Sequence, residues 1–222
     1  MNYFLTIDNQ SDLGYYLFKE LLENSYGDYL NAIIYNEFHN QLGMSNSSYN
    51  FSHYLDKDYI VPTEEDFTFR SQLLDGYVHD MGAAMQGGVG GHAGLFSNAN
   101  DLAKLMQMYL QNGEYAGERY LSQEVVREFT KCQFPKNENR RGAGFDKTAL
   151  SDQKGGPASE NANQEGFGHS GFTGTLVWAD PKTQIVYVFL SNRIHPDAAN
   201  KKLLTMDVRT NIMEVIFKSI ND

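Results

Sequence analysis

Three stretches of this 222-residue chain combine residue types that could do chemistry. In GHSGFTG, residues 168–174, glycines at 168, 171 and 174 surround His169 and Ser170 and lead into a β-branched run. Small residues at a strand edge let a ligand's backbone or ring come close. A bulged strand start with a surface histidine fits the residues equally well. Gln10-Ser11-Asp12 opens a helical pattern, and its simplest reading is an N-cap. The run GGVGGHAG, residues 87–94, places five glycines and His92 in eight positions. A phosphate cradle there needs Lys-Ser or Lys-Thr after the glycines and a strand before them, and neither is present. A metal loop needs companion ligands, and His92 has no His or Glu at metal spacing. The remaining reading is a tight backbone crossing with His92 as a structural ring.

Cys132 is the sole cysteine, which excludes an internal disulfide and a cysteine metal cage; it reads as a small buried apolar residue. No motif calls for a cofactor or a metal. Lys and Arg number 18 against 28 Asp and Glu, a net charge of −10, which argues against nucleic acid or an anionic membrane as partner. No apolar run reaches membrane-span length. The opening MNYFLTIDNQ lacks a basic start and carries Asp8, so it does not read as a signal peptide.

The elements that must position these residues follow from periodicity. Leu13, Leu17 and Leu21 mark a helix from about Ser11, and Leu30, Ile33, Ile34, Phe38 and Leu42 a second that stops at Gly43. Residues 44–86 have no clear period. NANDLAKLMQMYLQNG and LSQEVVREFTK, the latter capped by Ser122, are further helices. FTGTLVWA and QIVYVFLS flank an Asp180-Pro181 turn and predict an antiparallel hairpin. A terminal helix from about Asn200 has Leu204, Val208, Ile212, Val215 and Ile216 on its apolar face. Two strands alone are marginal, so this sheet needs others the sequence does not announce.

Taken together, QSDLGYYLFKELLE, QLGM, the stretch from Val78 to Ser122 and GFGHSGFTGTLVWADP…VFLSNR resemble the serine β-lactamase-related family of class C β-lactamases, penicillin-binding proteins and esterases. The likeness is strongest to the β-lactamase-like domain fused behind family 3 β-N-acetylhexosaminidases of Bacteroides-type bacteria. It implies an α+β, β-lactamase/transpeptidase-like fold lacking its N-terminal portion: one partial domain over 1–222, with 11–165 mostly helical and 166–222 a hairpin plus terminal helix. By the family pattern His169, Ser170 and Gly171 line the cleft, and the Phe172 N–H helps form the oxyanion hole. Gln10, Ser11 and Asp12 fall on the substrate-facing second motif. Gln10 stands where that motif has its tyrosine base, and an amide cannot act as a base. The nucleophile motif SxxK belongs before it, yet only nine residues precede Gln10. Ser151-Asp152-Gln153-Lys154 has the spacing but the wrong order and no helix, and reads as a chance match. The resemblance thus implies acyl-enzyme hydrolysis of β-lactams, D-Ala-D-Ala peptides or esters for the family, with silence expected of this polypeptide alone. Its implied substrate is a small molecule or a peptidoglycan fragment, and its implied compartment the periplasm. A free sheet edge predicts cover by a second copy or by the missing N-terminal segment.

Overall fold

Capping and turn residues divide the chain where the sequence places them. The computed structural model describes residues 11–51, 57–135, 139–150 and 156–221. Gln10 and Ser151-Asp152-Gln153-Lys154 lie outside the described residues. Helix α1 (Leu13–Tyr26) ends at Gly27, whose φ of 68° supplies the left-handed turn that closes a helix. Helix α2 (Leu30–Ile34) runs into a π-helical turn over Tyr35–His39, and Gly43 ends this region at φ 65°. Strand β1 (Ser48–Tyr49) is followed by the antiparallel pair β2 (Glu64–Asp66) and β3 (Gln72–Leu74). Helix α3 (Met81–Met85) comes next, and β4 (Leu95–Phe96) returns to pair with β1. Helix α4 (Ala99–Leu110) leads to the small hairpin β5 (Glu114–Tyr115) and β6 (Glu118–Arg119). Helix α5 (Gln123–Thr130) is capped as expected, Ser122 Oγ accepting from the Val125 N–H.

The rest of the chain builds the main sheet. Strands β7 (Asp146–Lys147), β8 (Phe167–Ser170), β9 (Leu176–Asp180) and β10 (Ile185–Phe189) lie in the order β10-β9-β8-β7, all antiparallel. The hairpin read from the sequence is β9–β10, and β8 and β7 are the strands it lacked. Asp180 shapes the turn: Oδ1 accepts from the Lys182 and Thr183 N–H groups, and the residue is fully buried. Helices α6 (Lys202–Thr205) and α7 (Val208–Asn221) follow.

Among the described residues two compact units result, one from residues 11–101 with Asn192–Lys201, the other from Leu102–Ser191 with residues 202–221. In the sheet unit the two-residue alternation of β9 serves two faces. Leu176 and Trp178 pack with Tyr187 against Met213 and Phe217 of α7. Val177 and Ala179 pack with Phe167 against Met106 and Leu110 of α4. One correction concerns the terminal helix. Asp207, at φ 48°, breaks it into α6 and α7, so a single stripe cannot run through both. Met213 and Phe217 point inward with Ile216 beside them, while Ile212 and Val215 are exposed. Cys132 is half-buried, its thiol on the Asn139 carbonyl at 3.2 Å.

The tightest point of the sheet is Gly168, where a Cβ would collide with the Val177 carbonyl and the Trp178 backbone of β9. Backbone atoms cannot swing aside. Gly168→Ala is expected to cost about 2–3 kcal/mol through overpacking, read as a lower urea midpoint. An unchanged midpoint would show that β8 does not lie this close to β9.

Candidate functional site

The glycine run is the crossing its residues suggested. A Cβ on Gly91 would stand 2.8 Å from the Tyr15 carbonyl of α1, and one on Gly94 would strike the Gly88 carbonyl. Gly94 also holds φ at 116°, a conformation open to glycine alone at little cost. The loop therefore lies directly against the first turns of α1. Tyr49 reaches it from β1, its hydroxyl donating to the Gly90 carbonyl at 3.4 Å.

His92 is the fixed point of this crossing. Its side chain is 3% exposed, and its Nε2 lies 2.8 Å from Asp80 Oδ1. The Tyr16 ring of α1 packs edge-on against the imidazole, centroids 4.8 Å apart. Asp80 also caps α3, its Oδ1 accepting from the Ala83 N–H at 2.7 Å. Burial works to raise the Asp80 carboxyl, but the Ala83 N–H and the His92 hydrogen bond outweigh it and hold the group below its ordinary value. Asp12 completes the cluster, with donor atoms of Asp12, Asp80 and His92 all within 4.8 Å of one another. Such a set could ligate a cation, but the Asp80 oxygen nearest His92 is already shared between two donors.

The cap reading of this stretch holds for Ser11, whose Oγ accepts from the Leu13 N–H at 3.4 Å, and is corrected for Asp12, whose side chain makes no capping hydrogen bond. Asp12 is turned toward Asp80 and His92 instead. An Asp before Met-Gly-Ala-Ala signals the α3 cap, but its partnership with His92 was not legible from spacing. A neighbouring hub supports it. Asp66 accepts from the Thr68, Phe69 and Arg70 N–H groups, and Arg70 reaches on to the Val78 and His79 carbonyls. The Phe69 N–H above all, with Arg70, holds the Asp66 carboxyl well below the usual carboxylate range.

His169, Ser170, Gly171 and Phe172 lie in the sheet unit, at the end of β8. Register determines which way their backbone faces. Ser170 is paired with Leu176, and the Gly171 N–H donates to the Thr175 carbonyl at 2.9 Å. Antiparallel residues alternate between hydrogen-bonded and open pairs. Ser170 therefore turns its N–H and C=O away from β9, toward the other edge. There β7 pairs only with Phe167 and Gly168, so no strand among the described residues covers Ser170. His169 Nδ1 stands 2.8 Å from the Ser170 carbonyl. A carbonyl only accepts, so Nδ1 carries the proton in this contact and the neutral ring keeps its lone pair on Nε2. Gly171 leaves no room for a side chain, since a Cβ would meet Thr175 Oγ1, and Phe172 is 61% exposed on the turn. The second motif, Ser11 and Asp12, belongs to the other unit.

The profile of the family described as Beta-lactamase matches residues 10–209. Over 141 residues the chain is 37% identical to a protein of Salmonella paratyphi B named "Putative D-alanyl-D-alanine carboxypeptidase", a match covering 60% of this chain and 31% of that one. The chain thus spans about a third of the length of such relatives. Among solved structures, a β-lactamase from Mycobacterium bovis aligns with 96% of this chain and 65% of its own, at TM-score 0.63 and 19% identity. A penicillin-binding protein homologue from Caulobacter crescentus aligns with 80% of this chain and 50% of its own, at TM-score 0.54 and 19% identity.

Asp66 and Asp80 give the fold a definite acid response. A carboxyl depressed in the folded state adds stability above its unfolded pKa and loses it as pH falls through the folded value. Stability is therefore expected to decline below about pH 4, measured by urea unfolding across a pH series. At pH 7, Asp80→Ala is expected to cost about 1–2 kcal/mol, and Asp80→Asn, which keeps a cap, distinctly less. Equal losses would show that capping plays no part.

Proposed function

The chain belongs to the β-lactamase family, and from that premise we propose that it supplies the substrate-facing wall of a serine-hydrolase fold and binds acyl-D-alanyl-D-alanine peptides without turning them over by itself. The observation that carries this is the open edge at His169 and Ser170. An extended peptide, or the acyl-amide of a β-lactam that mimics one, adds to such an edge through main-chain hydrogen bonds. Ser170 offers its N–H, and a carbonyl that already accepts from His169 Nδ1 but keeps a second lone pair, in the orientation an added strand needs. Gly168 and Gly171 keep the approach clear. The His169 imidazole stands beside it and in its cationic form donates from Nε2 to a substrate carboxylate, Nδ1–H being taken by the Ser170 carbonyl. The Phe172 N–H follows directly and is the candidate partner for the oxygen of an attacked carbonyl.

Turnover needs a hydroxyl beside a base. Gln10 in place of the tyrosine offers none, and no helix among the described residues carries SxxK, so binding without acylation is the expected behaviour. The likeness to D-alanyl-D-alanine carboxypeptidases favours stem peptides of peptidoglycan as ligands, with the periplasm as compartment. A fusion partner acting on amino-sugar glycosides, as in the hexosaminidase-linked relatives, would draw on the same polymer.

Calorimetry with a diacetyl-Lys-D-Ala-D-Ala peptide tests the wall, and intact-mass measurement after benzylpenicillin tests the chemistry. The wild type is expected to bind the peptide, His169→Ala to bind it roughly tenfold more weakly, and penicillin to add no mass. Binding indifferent to His169→Ala would overturn the wall. A penicilloyl adduct on any serine, Ser151 included, would overturn the silence.

A further inference from the structure

We propose that Arg209, on the first turn of α7, is a positioning residue for the strand edge at Ser170. It holds closed the turn that carries the Phe172 N–H, so a ligand at that edge depends on it without touching it. This role rests on the reading of the edge as a ligand wall and gives the wall a control placed outside its own strand. Arg209 Nη1 donates to the Thr175 carbonyl at 2.9 Å. The same carbonyl accepts from the Gly171 N–H at 2.9 Å. A carbonyl oxygen has two lone pairs, and these two donors fill them. Gly171 and Thr175 are the feet of the turn that joins β8 to β9, and inside it the Gly174 N–H donates to the Gly171 carbonyl at 3.0 Å. Phe172 sits between those feet, so the direction of its N–H is set by how firmly the turn is closed. One donor at the Thr175 carbonyl is a neutral amide of the turn itself. The other is a guanidinium, and a charge-assisted bond is roughly twice as strong as a neutral one.

Helix α7 brings Arg209 to this point. Arg209, Met213 and Phe217 follow at four-residue spacing and share one face of the helix. Met213 and Phe217 are buried against Leu176 and Trp178, so the face that anchors α7 also delivers Arg209 to the start of β9. The backbone of Arg209 is pinned as well, its carbonyl accepting from the Tyr187 hydroxyl of β10 at 3.0 Å. Asp207, at φ 48°, ends α6 and makes Arg209 the second residue of a new helix. Helix stability alone does not account for an arginine there. The first turn carries the positive end of the helix dipole, which favours carboxylates and disfavours cations. The Arg209 charge is directed at the Thr175 carbonyl instead.

Amide hydrogen exchange read by NMR, with peptide calorimetry on the same samples, tests the clamp. Arg209→Met keeps an apolar stem and removes the donor, whereas Arg209→Lys keeps a single cationic donor. In the free protein, Arg209→Met is expected to speed exchange of the Gly171 and Gly174 amides about tenfold. The Val177 amide, at the next hydrogen-bonded pair along the ladder, is expected to exchange as before. Diacetyl-Lys-D-Ala-D-Ala is expected to bind Arg209→Met about tenfold more weakly, with Arg209→Lys recovering most of both losses. A residue that served folding alone would move all three amides together with the urea midpoint. Unchanged Gly171 exchange in Arg209→Met, equal acceleration at Val177, or faster turn exchange with undiminished peptide binding would each overturn the role. A wild type that binds no peptide would overturn the wall itself, a separate failure in which the exchange contrast still decides whether Arg209 closes the turn.

Discussion

The close approach of β8 to β9 at Gly168 is the constraint on which the sheet unit depends. Without a side chain there, β8 lies flat against the Val177 carbonyl and the Trp178 backbone. That contact lets Phe167 reach the core with Met106 and Leu110 while the next residues, His169 and Ser170, run on to the edge. Buried packing and exposed chemistry thus share one four-residue strand. The Gly171–Gly174 turn closes it, with the Gly174 N–H donating to the Gly171 carbonyl at 3.0 Å.

The other unit solves a similar problem with polar groups. A loop of five glycines can pass against α1 only because it lacks side chains, and such a loop has little packing of its own to hold it. The His92–Asp80 hydrogen bond, set under the Tyr16 ring, fixes it to both α3 and α1. The burial of Asp101 extends the same logic: it accepts from the Asn46 N–H and the Ser47 hydroxyl, tying the start of α4 to the segment before β1. Unlike an apolar core, these contacts need a particular partner at each end, so they specify where a loop goes as well as holding it.

Much of this was legible in the sequence where the signal is local. Gly43 stops a helix, Ser122 caps one, and Asp180-Pro181 turns a hairpin, because each acts within a few residues. The β-lactamase-like fold was legible from longer motifs. What escaped was long-range or broken in phase. β7 is two residues long and has no period to detect. Asp12, Asp80 and His92 meet only through tertiary structure. The leucines of α1 announced a helix but not that Leu13, Leu17 and Leu21 stand exposed among the described residues, because periodicity reports a face and not its direction. Asp207 in a left-handed conformation divided a helix whose apolar spacing read as continuous.

The central claim is that the chain binds through the strand edge at His169 and Ser170. Amide chemical-shift mapping during titration with diacetyl-Lys-D-Ala-D-Ala tests it most directly. The account requires saturable shifts concentrated on the amides of residues 168–172 and on Thr175 across the turn. Saturable shifts confined to other residues, or none at any concentration, would contradict it.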